Sequence, residues 1–264
     1  MQITLMQGIL ITLVVFICAF DKHMEAFMWF RPLVVAFFTG LCLGNVQLGL
    51  AAGAVTELSY LGLLTVGGTV PPDPLFAGLM TTVLAYTTGQ EVSAAMGLAI
   101  PFALVGQWIG IATNTLYAGF LPAVDKAAER GDEKAIGRIM FTGQFLYAIL
   151  FALAAFLSVY AFQSGIAAFV NSFPEWLIHG FEVAGGLMPA VGLALLLVVM
   201  LKTDNIPYLL AGFVLMIITN CQNILPIAIL AGAIAWVGYT NDVKKNNNVT
   251  AVQETAEEDY SDGI

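Results

Sequence analysis

The chain has 264 residues, of which 59% are hydrophobic and only 10% charged, and its mean hydropathy is +0.87. A soluble domain normally carries about 25% charged residues, so this composition excludes an ordinary water-soluble globule. The net charge is −9, and the 9 Lys and Arg residues form no basic stripe, which leaves nucleic-acid binding without support. We therefore expect an all-α, multi-pass membrane protein surrounded by the lipid bilayer.

Apolar runs recur along the chain, and a helix that spans a bilayer needs about 20 residues. The first run lacks a basic flank, so we expect it to stay in the membrane rather than to be cleaved as a signal peptide. Run 139–170 is too long for one perpendicular span, and it either tilts strongly or breaks near residues 163–165. The runs cover approximately residues 3–20, 33–56, 75–88, 92–120, 139–170, 183–201 and 206–240.

The segment 57–74 is half apolar, yet it contains Glu57, three glycines and prolines at positions 71, 72 and 74. Backbone groups that such breaks release cannot face lipid, because an unsatisfied polar group is costly in hydrocarbon. They are tolerated where they are buried in protein or line a polar cavity. We therefore expect a broken or re-entrant helix that ends near Asp73, an element from which transporters build substrate sites.

Basic residues are concentrated in two places. The hydrophilic segment 123–138 carries four of the nine, and Lys244 and Lys245 precede an acidic stretch. The positive-inside rule, which counts Lys and Arg, predicts that both places are cytoplasmic. We therefore expect a transmembrane domain over residues 1–243 and an acidic cytoplasmic tail over residues 244–264.

Two carboxylates, those of Glu57 and Asp73, lie within or beside apolar stretches. A carboxylate at mid-membrane costs about 2.5–3.5 kcal/mol, and a bound polar ligand can offset that cost. Sugar hydroxyls donate hydrogen bonds to carboxylates, so a broken helix flanked by two of them suits a sugar. The alternative is that Asp73 only caps a helix after Pro71 and Pro72, and that Glu57 lies at the water interface.

Gln107 lies in an apolar run whose other polar side chain is the indole of Trp108. A buried amide needs hydrogen-bond partners, so a sugar contact and a bond between helices are both open. Thr65 is a weaker candidate, because threonine can bond its own helix backbone. The ring of Tyr60 or Trp108 would cover the apolar face of a sugar.

The sequence contains none of the common catalytic or nucleotide-binding motifs. No Walker loop, GxSxG or HExxH motif occurs, and the three cysteines are widely separated, so we expect no catalytic residue, metal or cofactor. His23 lies in a short polar turn and His179 at an expected interface, and neither lies in a loop that would cradle phosphate. We therefore do not expect a phosphoryl carrier in this chain.

Six segments, in their order and spacing, resemble the IIC subunits of the mannose–fructose–sorbose family of phosphotransferase systems. The last two and the tail ending EEDYSDGI are similar to the N-acetylgalactosamine/galactosamine branch, whereas mannose-type members tend to carry Asn where this chain has Thr65. The segments are FRP (30–32), TELSYLGLLTVGGTVPPDP (56–74), IPFALVGQ (100–107), DKAAERGD (125–132), HGFEVAGGLMPAVG (179–192) and IPYLLAGF (206–213).

The resemblance implies a sugar permease subunit of the bacterial inner membrane, without enzyme activity of its own. It implies a core that moves like an elevator against a scaffold, a membrane partner IID in a trimer of IIC–IID heterodimers, and IIA and IIB phosphocarrier subunits. It also implies that the sugar is lined by Glu57, Thr65, Asp73 and Gln107. The alternatives are an ion-coupled secondary sugar transporter, in which Glu57 and Asp73 bind the coupling ion, and a purely structural membrane subunit.

Overall fold

A computed structural model of the chain describes residues 2–63, 70–219, 225–241 and 243. Within these ranges the structure is helical and contains no strand, which confirms the expected all-α class. The chain divides into two compact units, Met1–Val199 and Met200–Ile264. The helices are α1 (Leu5–Lys22), α2 (Pro32–Cys42), α3 (Val46–Tyr60), α4 (Pro74–Thr88), α5 (Val92–Ala118), α6 (Leu121–Glu129), α7 (Glu133–Phe156), α8 (Gln163–Asn171), α9 (Glu175–Met200), α10 (Ile206–Thr219) and α11 (Leu225–Asn241). The tail 244–264 lies outside the described residues, so the expected boundary after residue 243 stays a prediction.

Four of the described helices are long and apolar enough to cross a membrane, namely α1, α5, α9, and α7 with its continuation to Ala161. Helices α2, α3 and α4 have only 11, 15 and 15 residues. Each is shorter than the roughly 20 residues that a bilayer span requires. The first unit therefore combines spans of full length with short helices, as the interrupted apolar runs indicate.

The apolar run 33–56 folds as two short helices. Helix α2 ends before Gly44, whose φ of +76° is a left-handed conformation that favours glycine. Asn45 then caps α3, because its side-chain oxygen accepts a hydrogen bond from the Leu48 amide at 3.0 Å. The glycine and the asparagine together reverse the chain, so the two helices form a hairpin.

Helix α4 is the buried centre of the first unit. Its side chains are buried at every position from Leu75 to Ala85. Thr81 and Thr82 donate to the Ala77 and Gly78 carbonyl groups of the same helix at 2.7 and 2.9 Å, which satisfies their hydroxyl groups without water. A helix too short to span a bilayer is thus enclosed by protein, mainly by α2, α3 and α5.

The apolar run 139–170 breaks close to residues 163–165, which was one of the two alternatives for a run of this length. Helix α7 continues as a π-helical turn (Leu157–Ala161), and α8 begins at Gln163. The Gln163 side chain accepts from the Ile3 amide at 2.8 Å and donates to the Ile3 carbonyl group at 3.0 Å. The break therefore has a structural role, because Gln163, the first residue of α8, holds the N-terminal segment in place.

The hydrophilic segment 123–138 is mostly helical rather than an extended loop. It covers most of α6 and the first turns of α7, and Gly131, with φ of +65°, reverses the chain between them. Asp132 caps α7 by accepting from the Ala135 amide at 2.9 Å. The four basic residues of this segment are therefore displayed on a short helical hairpin.

Helices α2 and α3 approach each other through glycines. A Cβ atom on Gly49 would lie 2.5 Å from the Ala36 carbonyl oxygen and 2.8 Å from the Cα atom of Gly40. Real Cβ atoms do not approach backbone atoms so closely, and the two helices would have to separate. The hairpin therefore depends on the missing side chain at position 49.

Replacing Gly49 by alanine is expected to lower the free energy of unfolding by about 1–3 kcal/mol, because the added methyl group overpacks the hairpin. The measurement is thermal unfolding of the purified protein in detergent. Gly186→Ala in α9 is the matched control, since no described atom lies within 4 Å of its added methyl group. Equal unfolding temperatures for the two variants would show that the hairpin is not tightly packed.

Candidate functional site

A polar cavity of about 580 Å³ lies in the first unit, where the end of α1 and the segment before α4 meet α5 and α7. Its volume is within the range of about 300–1,000 Å³ that is usual for small-molecule sites. Aromatic rings and prolines supply its apolar wall. Its charged, imidazole and amide side chains are those of Lys22, His23, Glu25, Arg31, Asp73, Gln107 and Asn114.

Asp73 performs two tasks at the cavity wall. Its Oδ1 atom accepts from the Phe76 amide at 2.9 Å and so caps α4, while its Oδ2 atom is paired with the ammonium group of Lys22. The Asp73 side chain is 2% exposed and that of Lys22 is 22% exposed. Asp73 therefore caps α4, which was the alternative considered from the sequence, and it also lines the cavity.

The Lys22 ammonium group is also enclosed by aromatic rings. It lies 5.1 Å from the centre of the Phe151 ring and 5.7 Å from that of Tyr147. The faces of aromatic rings attract cations at such distances. The end of α1 is thus fixed to α4 by the ion pair with Asp73 and to α7 by these two rings.

Helix α5 supports the segment that precedes α4. The Asp73 amide donates to the Ala103 carbonyl group at 2.9 Å, and the Gln107 Nε2 atom donates to the Val70 carbonyl group. A Cβ atom on Gly106 would lie 2.6 Å from that of Asp73, so glycine allows the close approach. The Val70 carbonyl group and the Asp73 amide are thereby satisfied within protein, as a site inside a membrane requires. Residues 64–69 lie outside the described residues, so the expected broken helix over 57–74 stays a prediction.

Glu57 lies behind the cavity wall rather than on it. Its Oε1 atom accepts from the Arg31 Nε atom at 2.7 Å and from Nη2, and its Oε2 atom accepts from the Leu33 amide at 3.2 Å. The described residues that line the cavity include Arg31 but not Glu57. In this structure Glu57 therefore holds the guanidinium group that faces the cavity.

His23 ends α1 and packs against two tyrosines. Its ring centre lies 4.3 Å from that of Tyr147 and 5.9 Å from that of Tyr117. Burial lowers the pKa of His23, the ammonium group of Lys22 lowers it further, and the Glu25 carboxylate acts in the opposite direction. The imidazole is therefore neutral near pH 7 and adds no positive charge to the cavity.

The structure brings only part of the expected site together. Asp73 and Gln107 line the cavity and so does Tyr60, whereas Thr65 lies outside the described residues. Trp108 is 69% exposed and is not among the lining residues, so Tyr60 is the one of the two expected rings that lies at the cavity.

Lys22, His23, Glu25, Arg31 and Asn114 line the cavity but were not expected there. Lys22 and His23 resemble ordinary polar residues that end a membrane span at the water interface. A signal was present for Arg31, since it belongs to the FRP segment that the family resemblance singles out. Nothing in the local sequence distinguishes Asn114.

The Lys22–Asp73 pair can be tested by a double-mutant cycle. We expect Lys22→Met to lower the free energy of unfolding by about 3 kcal/mol, because it leaves a buried carboxylate unpaired. Asp73→Asn keeps an N-cap acceptor, so the double variant is expected to recover at least half of that loss. Chemical unfolding of the four proteins measures the coupling, and strictly additive losses would contradict the pair.

The chain is similar in sequence to known permease components. The family model for the sorbose-specific IIC component of the phosphotransferase system matches residues 5–237. The N-acetylgalactosamine permease IIC component 1 of Escherichia coli is 42% identical over 267 residues, which cover 100% of this chain and 99% of the relative. The mannose-specific EIIC component of Escherichia coli is 30% identical over 257 residues, 97% of this chain and 96% of the relative.

Solved structures share the fold. A membrane protein matches with a TM-score of 0.81 and 29% identity, over 90% of this chain and 97% of the other. The mannose transporter ManYZ in complex with a microcin matches with a TM-score of 0.58 and 29% identity, over 91% and 97% of the two chains. The chain therefore belongs to the family of membrane-embedded IIC permease components of sugar phosphotransferase systems that includes the sorbose- and mannose-specific members.

Proposed function

We propose that this chain binds an amino sugar, N-acetylgalactosamine or galactosamine, in the polar cavity and carries it across the bacterial inner membrane for phosphorylation by a separate IIB subunit. The observation that carries the proposal is the cavity itself, a space of sugar size within the first unit that is lined by charged and amide side chains and by aromatic rings. The similarity to an N-acetylgalactosamine permease component supports the choice of amino sugar.

Recognition rests on groups that exchange hydrogen bonds with sugar hydroxyls. Gln107 uses its Nε2 atom for the Val70 carbonyl group, which leaves its Oε1 atom as an acceptor for the ligand. The Asn114 amide offers both a donor and acceptors, and the ring of Tyr60 supplies an apolar face. Glu57 acts through Arg31, and Thr65 completes the set that the family resemblance implies.

Transport has the form implied by the family. The cavity belongs to a core that moves as an elevator against a scaffold, together with a IID subunit in a trimer of heterodimers. IIB, recharged by IIA, then transfers its phosphoryl group to a sugar hydroxyl, which releases a proton. The phosphorylated sugar is charged and cannot return through the membrane. The similarity to the solved ManYZ transporter supports a second membrane subunit.

The ion-coupled alternative loses support from the two carboxylates on which it depends. Asp73 is paired with Lys22, and Glu57 is paired with Arg31. A coupling cation at either carboxylate would compete with a cationic side chain already in place. Transport that is coupled to phosphorylation of the sugar requires no cation at these carboxylates.

The decisive experiment follows radiolabelled N-acetylgalactosamine in cells that express this chain with or without its IID, IIB and IIA partners. We expect labelled sugar to appear inside as the phosphate, and only when the partners are present. Free sugar that accumulates without them, and is lost on adding an ionophore, would instead establish the ion-coupled transporter.

Substitutions in the cavity should lower that uptake. We expect Gln107→Leu to reduce the apparent affinity for the sugar by about tenfold, since it removes one ligand acceptor and the bond to the Val70 carbonyl group. Gln47→Leu, at an exposed position near the start of α3, is the matched control. If both variants take up sugar like the wild type, Gln107 is not part of the site.

A further inference from the structure

Glu25 lines the cavity, is exposed to solvent, and makes no ion pair with another described residue. The two cationic side chains that line the cavity are already neutralised. Lys22 is paired with Asp73, and Arg31 is paired with Glu57 behind the wall. The two ion pairs cancel, and the negative charge of Glu25 remains.

Other groups near the cavity do not cancel that charge. The His23 imidazole is neutral near pH 7, because burial and the Lys22 ammonium group lower its pKa. Residues 64–69 carry no ionisable side chain, so their sequence adds no charge. Among the described residues that line the cavity, Glu25 is therefore the one carboxylate without a cationic partner.

The backbone holds Glu25 in an unfavourable conformation. Glu25 and Met28 have φ angles of +47° and +57°, in the left-handed region that residues other than glycine rarely adopt, and both line the cavity. Asp21, 6% exposed, fixes this turn by accepting from the Phe27 and Trp29 amides at 3.0 and 2.8 Å. Strain of this kind persists where surrounding bonds impose it, and it is concentrated at binding sites.

Three aromatic residues that line the cavity would also attract a cation. The rings of Phe30, Tyr60 and Tyr147 face the same cavity. Aromatic faces attract an ammonium group within about 6 Å, and more strongly where water is excluded. Tyr147 already contributes to holding the Lys22 ammonium group in this way.

We propose that Glu25 is the specificity-determining residue of this permease, and that it selects a sugar with a free, protonated amine over the neutral N-acetylated form. The inference rests on the proposed function and narrows its substrate class to galactosamine-type sugars. The Glu25 carboxylate accepts a charge-assisted hydrogen bond from the ammonium group at the 2-position of the sugar. Acetylation removes that positive charge, and with it the advantage of the unpaired carboxylate.

The test is equilibrium binding of radiolabelled galactosamine and N-acetylgalactosamine to membrane vesicles that contain this chain with its IID partner. We expect wild-type vesicles to bind galactosamine about tenfold more tightly. In Glu25→Gln vesicles the Kd for galactosamine should rise about tenfold, while that for N-acetylgalactosamine changes less than twofold. Glu25→Asp keeps the charge and should retain part of the preference.

Glu91→Gln is the matched control, because Glu91 is exposed before α5 and its side chain makes no cap hydrogen bond. Unchanged thermal unfolding of Glu25→Gln would show that the variant keeps its fold. Equal binding of both sugars by the wild type, or equal weakening of both by Glu25→Gln, would overturn the inference and leave the proposed function intact. Absence of binding by either sugar would overturn both.

Discussion

Asp73 connects three parts of the molecule at one point. One carboxylate oxygen caps α4, the other is paired with Lys22 at the end of α1, and the backbone amide donates to the Ala103 carbonyl group of α5. The buried helix, the first span and the long fifth helix are thus fixed relative to one another. The polar cavity is the space that remains beside this junction, so its shape depends on these bonds.

The apolar surroundings explain why charges occur as pairs. A single buried charge is costly, whereas an ion pair with additional hydrogen bonds is tolerated. Lys22 with Asp73, and Arg31 with Glu57, follow this rule, and in each pair the carboxylate also accepts from a backbone amide. Asp21, 6% exposed, is stabilised instead by the Phe27 and Trp29 amides, whereas Glu25 is exposed and makes no ion pair with another described residue.

Much of the fold could be predicted from the sequence, because glycine, asparagine and proline mark helix ends by local chemistry. Asp73 and Gln107 could be found as polar residues in apolar surroundings. The position of Glu57 behind Arg31 could not, since it depends on how α3 packs against the residues before α2. Lys22 was missed because a lysine that ends a span usually extends toward water, and only the fold places a carboxylate beside it.

The two hydrogen bonds between Gln163 and Ile3 join groups 160 residues apart. During synthesis α1 enters the bilayer long before α7, against which it packs, and before α8, which anchors its beginning. The first span must therefore persist in lipid without its native neighbours, and its native packing can be completed only after more than half of the chain has been made. The final placement of α1 thus depends on contacts that form late, whereas α2, α3 and α4 can pack against one another early.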